Sequence, residues 1–116
     1  MIKYFICFSL ILLPLVYNVE GLKIEPSPWK PIKNVTLGYY LEIGRFAINE
    51  HNKHTMDILA FENNVQGKEQ YDNGLRYALI IATRNSDHIA HNYEAVVFER
   101  HVNQERVLES FNEISI

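Results

Sequence analysis

Histidine is the residue type in this sequence whose spacing could support metal chemistry. His51 and His54 are three positions apart, as are His88 and His91, and a fifth histidine is His101. Two imidazoles at such a spacing are a possible start of a zinc site. No cysteine and no paired acidic motif accompanies them, so the pattern predicts no metal site and no other cofactor. His51 is expected at the rim of a helix face and the others in loops.

Serine and cysteine are the residue types that could supply a nucleophile. Nucleophilic catalysis needs such a residue beside a base and an orienting acid. Ser86, Ser110 and Ser115 stand in no recognisable nucleophile motif. The sequence therefore predicts a protein that is not an enzyme.

The N-terminal segment has the features of a secretory signal peptide. Lys3 precedes an apolar run over residues 4–16, and Val19 and Gly21 fit positions −3 and −1 of a cleavage site after Gly21. We therefore expect residues 1–21 to be a signal peptide, the protein to be secreted and extracellular, and residues 22–116 to form one domain. The run is shorter than the roughly 20 residues of a membrane span, so an uncleaved anchor is the alternative.

Charge and cysteine content restrict the partners and the architecture. The chain has 11 Lys and Arg against 14 Asp and Glu, and its net charge of −3 is unchanged when Lys3 and Glu20 leave with the signal. No basic excess is left for nucleic acid or an anionic membrane. The only cysteine, Cys7, lies in the signal, so the mature chain has no disulfide. A small domain without disulfides requires one well-packed core, which favours a helix on a sheet.

The stretch LGYYLEIGRFAINEHNK, residues 37–53, is predicted to be the helix that organises the domain. At 100° per residue its apolar side chains fall on one arc, with Ile43, Gly44 and Ala47 at the centre. A glycine at the middle of a buried face allows a neighbouring element to come close. Thr36 is a candidate N-cap.

Strand patterns follow the helix. We predict strands over residues 56–66, 75–83, 92–102 and 106–116, separated by a possible bulge at residues 67–69 and by turns at 70–74, 85–87 and 103–105. Before the helix, three prolines favour an extended arm over residues 22–36. Within the arm, Asn34-Val35-Thr36 is an N-glycosylation sequon, so the mature chain is expected to be a glycoprotein. The order predicts an α+β domain with an antiparallel meander.

Three motifs resemble one protein family. EIGRFAINEHNK, residues 42–53, resembles the helix signature L-A-R-F-A-V-x-E-H-N-K of plant cystatins, which inhibit papain-like cysteine proteases. Trp29-Lys30-Pro31-Ile32 resembles the family's G-G-W-x-P-I arm, and NYEAVV, residues 92–97, resembles its N-Y-x-A-x-V strand. The resemblance covers about residues 27–113. It implies a cystatin-like fold, in which one long helix packs across a curled four- to five-stranded antiparallel sheet without disulfides.

The resemblance also implies a binding site. In plant cystatins a glycine near the N-terminus, a Q-x-V-x-G hairpin loop and a Pro-Trp loop form a wedge that enters the protease cleft. Carried over by position, the protease-binding residues lie in the arm, the first loop and the second loop: Ser27, Pro28, Trp29, Gln70, Tyr71, Asp72, Asn73, Gly74, His101 and Val102.

All three pieces depart from the family pattern. Asp72 stands for the valine of the first loop, Ser27-Pro28 for the glycine pair, and His101-Val102 for Pro-Trp. Taken as an unpaired carboxylate, Asp72 would cost free energy in a cleft, and replacing it with valine should strengthen inhibition. A total loss of about 4–5 kcal/mol would weaken inhibition roughly a thousandfold.

The resemblance therefore implies a secreted monomer whose partner is a papain-like cysteine protease, with inhibition weakened or retargeted. The alternative is a non-inhibitory protein with the cystatin fold that binds another partner or serves as a scaffold. Altered loops on an intact helix favour this alternative.

Overall fold

The computed structural model describes residues 25–101 and 105–115. Within these residues one helix packs on a five-stranded antiparallel sheet whose strand order follows the chain. The elements are β1 (Lys30–Pro31), α1 (Gly38–Asn52), β2 (Ala60–Tyr71), β3 (Leu75–Arg84), β4 (Ala90–Glu99) and β5 (Arg106–Ile114). The predicted α+β fold, with a helix across a curled antiparallel meander, is confirmed. The predicted signal peptide and its cleavage site lie outside the described residues.

The helix packs through the face that its periodicity indicates. Ile43, Gly44, Ala47 and Ile48 are the buried residues of α1. They meet Leu59, which directly precedes β2, and the side chains that alternate toward the helix along β3 and β4: Tyr77, Leu79, Ile81, Ala95 and Val97. His51 is half-buried and stacks on Phe111, with ring centroids 4.1 Å apart, so its predicted place at the rim is confirmed.

The start of the helix differs from the prediction. Leu37, in extended conformation, is the N-cap residue, and no side chain caps the helix. Thr36 is not the cap, because its N–H and hydroxyl both donate back to Asn34 Oδ1, at 3.1 and 2.6 Å. The short polar turn of Asn34 thus takes up the donors of Thr36 before the helix begins.

The second strand also differs, because it begins later and continues through the segment that we expected to be a bulge. Gly67 pairs regularly with Leu79, and the register shifts instead at Glu62 and Val65. These shifts turn Asn64 toward the helix, where it is 2% exposed. Its Nδ2 donates to the carbonyls of Val35 and Tyr40, at 2.9 and 2.8 Å. The two bulges thus accompany a polar side chain that is buried under the helix and hydrogen-bonded there.

The two hairpin turns after β2 were placed correctly by their residue types. Tyr71 and Leu75 form the last pair of the first hairpin. At the second turn, Asn85 Oδ1 accepts hydrogen bonds from the N–H groups of Asp87 and Ile89, at 2.9 and 3.0 Å. β4 begins two residues earlier than predicted, at Ala90, so the expectation that His91 lies in a loop is wrong. β4 and β5 also end earlier than predicted, at Glu99 and Ile114.

Candidate functional site

The arm and the first loop are joined by hydrogen bonds at one end of the sheet. The N–H of Ser27 donates to the carbonyl of Tyr71 at 2.8 Å, and the N–H of Tyr71 donates to Ser27 Oγ at 2.8 Å. Gln70 Nε2 donates to the carbonyl of Ser27 at 3.1 Å. Ser27 is therefore fixed against the two residues that open the first loop.

The first loop turns over Asp72, Asn73 and Gly74. Asn73 has a φ of 54° and Gly74 a φ of 155°, and the N–H of Asp72 donates to the carbonyl of Gly74 at 2.9 Å. A Cβ at Gly74 would lie 2.7 Å from the carbonyl oxygen of Glu99 and 3.0 Å from the Cα of Arg100. Glycine is thus needed both for the backbone conformation and for close contact with the start of the second loop.

Asp72 is ion-paired. Its Oδ2 accepts a hydrogen bond from Arg76 Nη1 at 2.9 Å, and the same nitrogen donates to Gln70 Oε1 at 2.9 Å. Arg76 Nε also donates to Glu109 Oε1 at 2.7 Å, and the guanidinium lies 5.0 Å from the ring centroid of Phe98. The hydrogen bonds that Arg76 donates to Glu109 and Asp72 raise the pKa of its guanidinium. The interpretation of Asp72 as an unpaired carboxylate is therefore wrong, because cross-strand register brings Arg76 to the loop.

A buried ion pair lies where the second loop begins and ends. Glu99, the last residue of β4, is 1% exposed and accepts a hydrogen bond from Arg106 Nε, on the first residue of β5, at 2.7 Å. The hydroxyl of Tyr39 also donates to Glu99 and lies 2.8 Å from the hydroxyl of Tyr77. Burial, together with the hydrogen bond to Glu99, raises the pKa of Tyr39 to about 12. This network connects α1 with the base of the second loop.

The described start of the second loop, Arg100 and His101, lies beside the first loop. His101 is exposed, whereas Val102 falls outside the described residues. A groove of about 390 Å³ separates the two loops, and it is lined by Tyr71, Asn73, Gly74, Leu75, Glu99, Arg100 and His101. The structure thus brings Ser27, the whole first loop and His101 to one end of the sheet.

Pro28 and Trp29 follow Ser27 in the arm. Pro28 is exposed, and the Trp29 ring lies on the open face of the sheet, with Lys68 Nζ 5.0 Å from its centroid. Trp29 lines a second groove with Ala78 and Ile80, two side chains that alternate away from the helix. Its side chain is therefore separated from the two loops, although its backbone follows directly on Ser27.

The sequence interpretation missed Arg76, Glu109 and the Glu99–Arg106 pair. One signal was available for Arg76, which is the single charged residue inside the apolar run LRYALIIAT and stands opposite Gln70 in the hairpin. Glu109 becomes a partner only through β5, two strands away from β3, which local sequence does not indicate.

The described residues contain no group of three His, Cys, Asp or Glu side chains that could hold a metal ion. His91 Nδ1 lies 2.6 Å from Glu113 Oε2. Burial lowers the pKa of His51, with Asp57 acting in the opposite direction.

In the part of the chain that the structure covers, no helix has the length and apolarity to cross a membrane.

Comparison with known proteins finds proteinase inhibitors, whose names refer to two classes of proteinase. The sequence model of a family described as aspartic acid proteinase inhibitor matches residues 32–114. Cysteine proteinase inhibitor 5 of Arabidopsis thaliana is 37% identical over 101 residues, which cover 87% of this chain and 80% of that protein. Cysteine proteinase inhibitor 1 of Actinidia chinensis var. chinensis is 34% identical over 92 residues, which cover 79% of this chain and 78% of that protein.

Solved structures agree with the fold. Salivary cystatin from the soft tick Ornithodoros moubata superposes with a TM-score of 0.65 at 14% identity, covering 78% of this chain and 100% of its own. Dimeric human cystatin F gives a TM-score of 0.60 at 13% identity, and the superposition covers 79% of this chain and 90% of the cystatin F chain. At such identities the likeness concerns the fold alone. With the sequence matches beside it, the chain belongs to the plant cystatins and related proteinase inhibitors, a family of inhibitors and not of enzymes.

Proposed function

We propose that this protein inhibits a proteinase by inserting the tip formed by the arm, the first loop and the second loop into the active-site cleft. The observation that carries the proposal is the physical connection of the three pieces. Ser27 is hydrogen-bonded to Tyr71, and Gly74 packs against Arg100. Segments held together before binding lose less conformational entropy when they bind, so such a tip is suited to tight association.

The chemistry of the tip differs from that of a purely apolar wedge. Tyr71 is 52% exposed and offers an aromatic surface beside the groove between the loops. The carboxylate of Asp72 is directed back to Arg76, so this carboxylate is already ion-paired before a protease binds. Aromatic side chains are frequent energetic centres of interfaces, which favours Tyr71 as a contact residue.

A papain-like cysteine protease is the first candidate partner. The relatives in Arabidopsis and Actinidia carry the name cysteine proteinase inhibitor and cover most of this chain. The positions of the arm and the two loops fit a wedge of the cystatin type.

An aspartic proteinase is the second candidate. The family described as aspartic acid proteinase inhibitor matches residues 32–114, which include both loops. The changes at Asp72 and His101-Val102 are consistent with a tip that has been retargeted to a different cleft.

Inhibition assays against both classes test the proposal. Protein purified from the medium of cells that express the full chain is titrated against several papain-like enzymes and several pepsin-like enzymes. We expect inhibition constants in the micromolar range or lower for one class. If neither class is inhibited, the non-inhibitory binding or scaffold protein is the correct interpretation.

Two glycine variants provide a matched comparison. A Cβ at Gly74 meets Glu99 and Arg100, whereas a Cβ at Gly38 meets nothing within 4 Å. Gly74→Ala should weaken inhibition about tenfold or more, because the strained φ and the steric contact displace the loop. Gly38→Ala should leave it unchanged.

We further propose that the protein is secreted as a monomeric glycoprotein with no membrane attachment after signal cleavage. The apolar segment over residues 4–16 and the exposed sequon at Asn34 support this. N-terminal sequencing of secreted protein should begin at Leu22, and light scattering should give the mass of one chain plus any glycan.

A further inference from the structure

Arg76 lies at the centre of the contacts that fix the candidate tip. One nitrogen, Nη1, bonds both Gln70 Oε1 and Asp72 Oδ2, while Nε bonds Glu109 of β5. The side chain of Arg76 is only 21% exposed. Its position is itself determined by β5 and by the ring of Phe98, so it is a fixed anchor for the loop.

The contacts of Arg76 reach the arm through Gln70. With its Oε1 held by Arg76, the amide of Gln70 presents Nε2 to the carbonyl of Ser27, at 3.1 Å. Ser27 in turn exchanges two hydrogen bonds with Tyr71. One guanidinium therefore orients the first loop directly and the arm through one intermediate side chain.

The contact with Asp72 also determines which groups the loop offers to a partner. An ion-paired carboxylate directed toward β3 leaves Tyr71 and Asn73 as the exposed residues of the loop. An unpaired carboxylate in their place would have to lose its hydration in an apolar cleft, which is unfavourable.

Resting on the proposed inhibitory function, we propose that Arg76 is a positioning and specificity-determining residue of this protein: it holds the arm and the first loop together and withdraws the carboxylate of Asp72 from the contact surface. Arg76 itself touches no protease residue in this scheme. It acts through Gln70 and Asp72.

The first test uses the free protein and requires no protease. Amide hydrogen exchange is measured by NMR in the full-length secreted protein and in Arg76→Gln. Loss of the guanidinium should speed exchange at Ser27 and Tyr71 about tenfold, because Gln70 is released. Amides in the middle of α1 and β4 should be unchanged.

Arg84→Gln is the matched control. Arg84 lies at the other end of the same strand and pairs with Glu62 at 2.7 Å, far from the loops. Arg84→Gln should leave the exchange rates of the Ser27 and Tyr71 amides unchanged. Equal protection of these two amides in Arg76→Gln and Arg84→Gln would overturn the proposal, whether or not the protein inhibits anything.

The second test compares the effect of Asp72→Val on the inhibition constant in the presence and in the absence of Arg76. Where Arg76 is present, Asp72→Val should change the inhibition constant less than about threefold, since the carboxylate is already paired. In the Arg76→Gln background, Asp72→Val should strengthen inhibition about tenfold, because it removes an unpaired carboxylate. Thermal unfolding confirms that each variant is folded.

The two tests distinguish a failure of the role proposed for Arg76 from a failure of the proposed inhibitory function. An equal effect of Asp72→Val in both backgrounds would overturn the role of Arg76 in specificity. A complete lack of inhibition would overturn the proposed function, and the exchange measurement would still decide whether Arg76 positions the arm.

Discussion

Gly44 of α1 is in direct contact with the side chain of Asn64 on β2. A Cβ at Gly44 would clash with Asn64 Oδ1 and would lie 2.7 Å from Phe61 Cε1. Asn64 cannot retreat easily, since its Nδ2 is bonded to two carbonyls of the helix and the preceding loop. The glycine therefore makes room for a buried amide that joins the helix to the sheet.

The first prediction concerns this contact. Gly44→Ala should lower the free energy of unfolding by about 1–3 kcal/mol, although alanine favours helices, because overpacking outweighs propensity. Urea denaturation measures the difference. Gly38→Ala, with open space around the added methyl, is the control and should be neutral or slightly stabilising. A neutral Gly44→Ala would mean that the helix is not packed on Asn64.

The second prediction is a pH dependence from His51. Burial against Phe111 lowers the pKa of His51 in the folded state below its ordinary value of 6.5. The unfolded chain therefore takes up a proton first as the pH falls. The contribution to stability is complete above pH 6.5 and is lost as the pH falls through 6.5 toward the folded pKa.

Thermal unfolding at several pH values between 5 and 8 checks this expectation. His51→Phe should reduce the loss of stability on acidification, whereas His101→Gln, at an exposed position, should retain it. An unaltered pH profile in His51→Phe would contradict the assignment.

The third prediction concerns the buried carboxylate of Glu99. Tyr39→Phe removes a hydrogen bond to this charged group and should destabilise the protein by about 1.5–3 kcal/mol. Tyr71→Phe, which alters an exposed hydroxyl, should be within about 0.5 kcal/mol of the natural protein. Guanidinium denaturation compares the two. Equal stability of both variants would show that the Glu99 network contributes little.

The fourth prediction is glycosylation at Asn34. The residue is exposed, and the Thr36 hydroxyl lies 2.6 Å from its Oδ1. Protein secreted from eukaryotic cells should lose mass on treatment with an amidase that removes N-linked glycans. Asn34→Gln and Thr36→Ala should both lack the shift, and Thr36→Ser should keep it. A glycan that persists in Thr36→Ala would lie elsewhere.

Much of the fold could be predicted because its signals are local. The helix is marked by one apolar arc around Ile43 and Ala47, and the first hairpin by the polar residues before Gly74. These features depend on residues close in the chain. The bulges at Glu62 and Val65 could not be predicted in the same way, because they accompany the contact of Asn64 with the carbonyl of Tyr40, 24 residues earlier in the chain.

The sequence indicated the candidate site only by position. The resemblance gave the positions of the arm and both loops, and the structure places Ser27 beside Tyr71. It could not give the ion pairing of the Asp72 carboxylate, because this depends on a contact with Arg76 across the hairpin. Pair contacts across strands follow from register and loop length, which sequence patterns determine only loosely.

The last prediction concerns the second loop. His101-Val102 stands where the family pattern has Pro-Trp, and His101 is exposed next to the groove between the loops. If a papain-like protease is the target, His101→Pro combined with Val102→Trp should strengthen inhibition about thirtyfold, since an aromatic anchor at an interface centre contributes roughly 2 kcal/mol. The gain should appear mainly as slower dissociation, measured by surface plasmon resonance.

Val65→Trp is the control for this change. Val65 is 47% exposed in a bulge of β2, so the substitution adds the same aromatic surface at a position that takes no part in the tip. It should leave inhibition unchanged. A gain in both variants would indicate non-specific association of an exposed tryptophan. A loss of inhibition in the double variant alone would mean that the natural target accepts His101-Val102 as it stands, as expected of a loop retargeted to a different protease, and the same pair should then be measured against an aspartic proteinase.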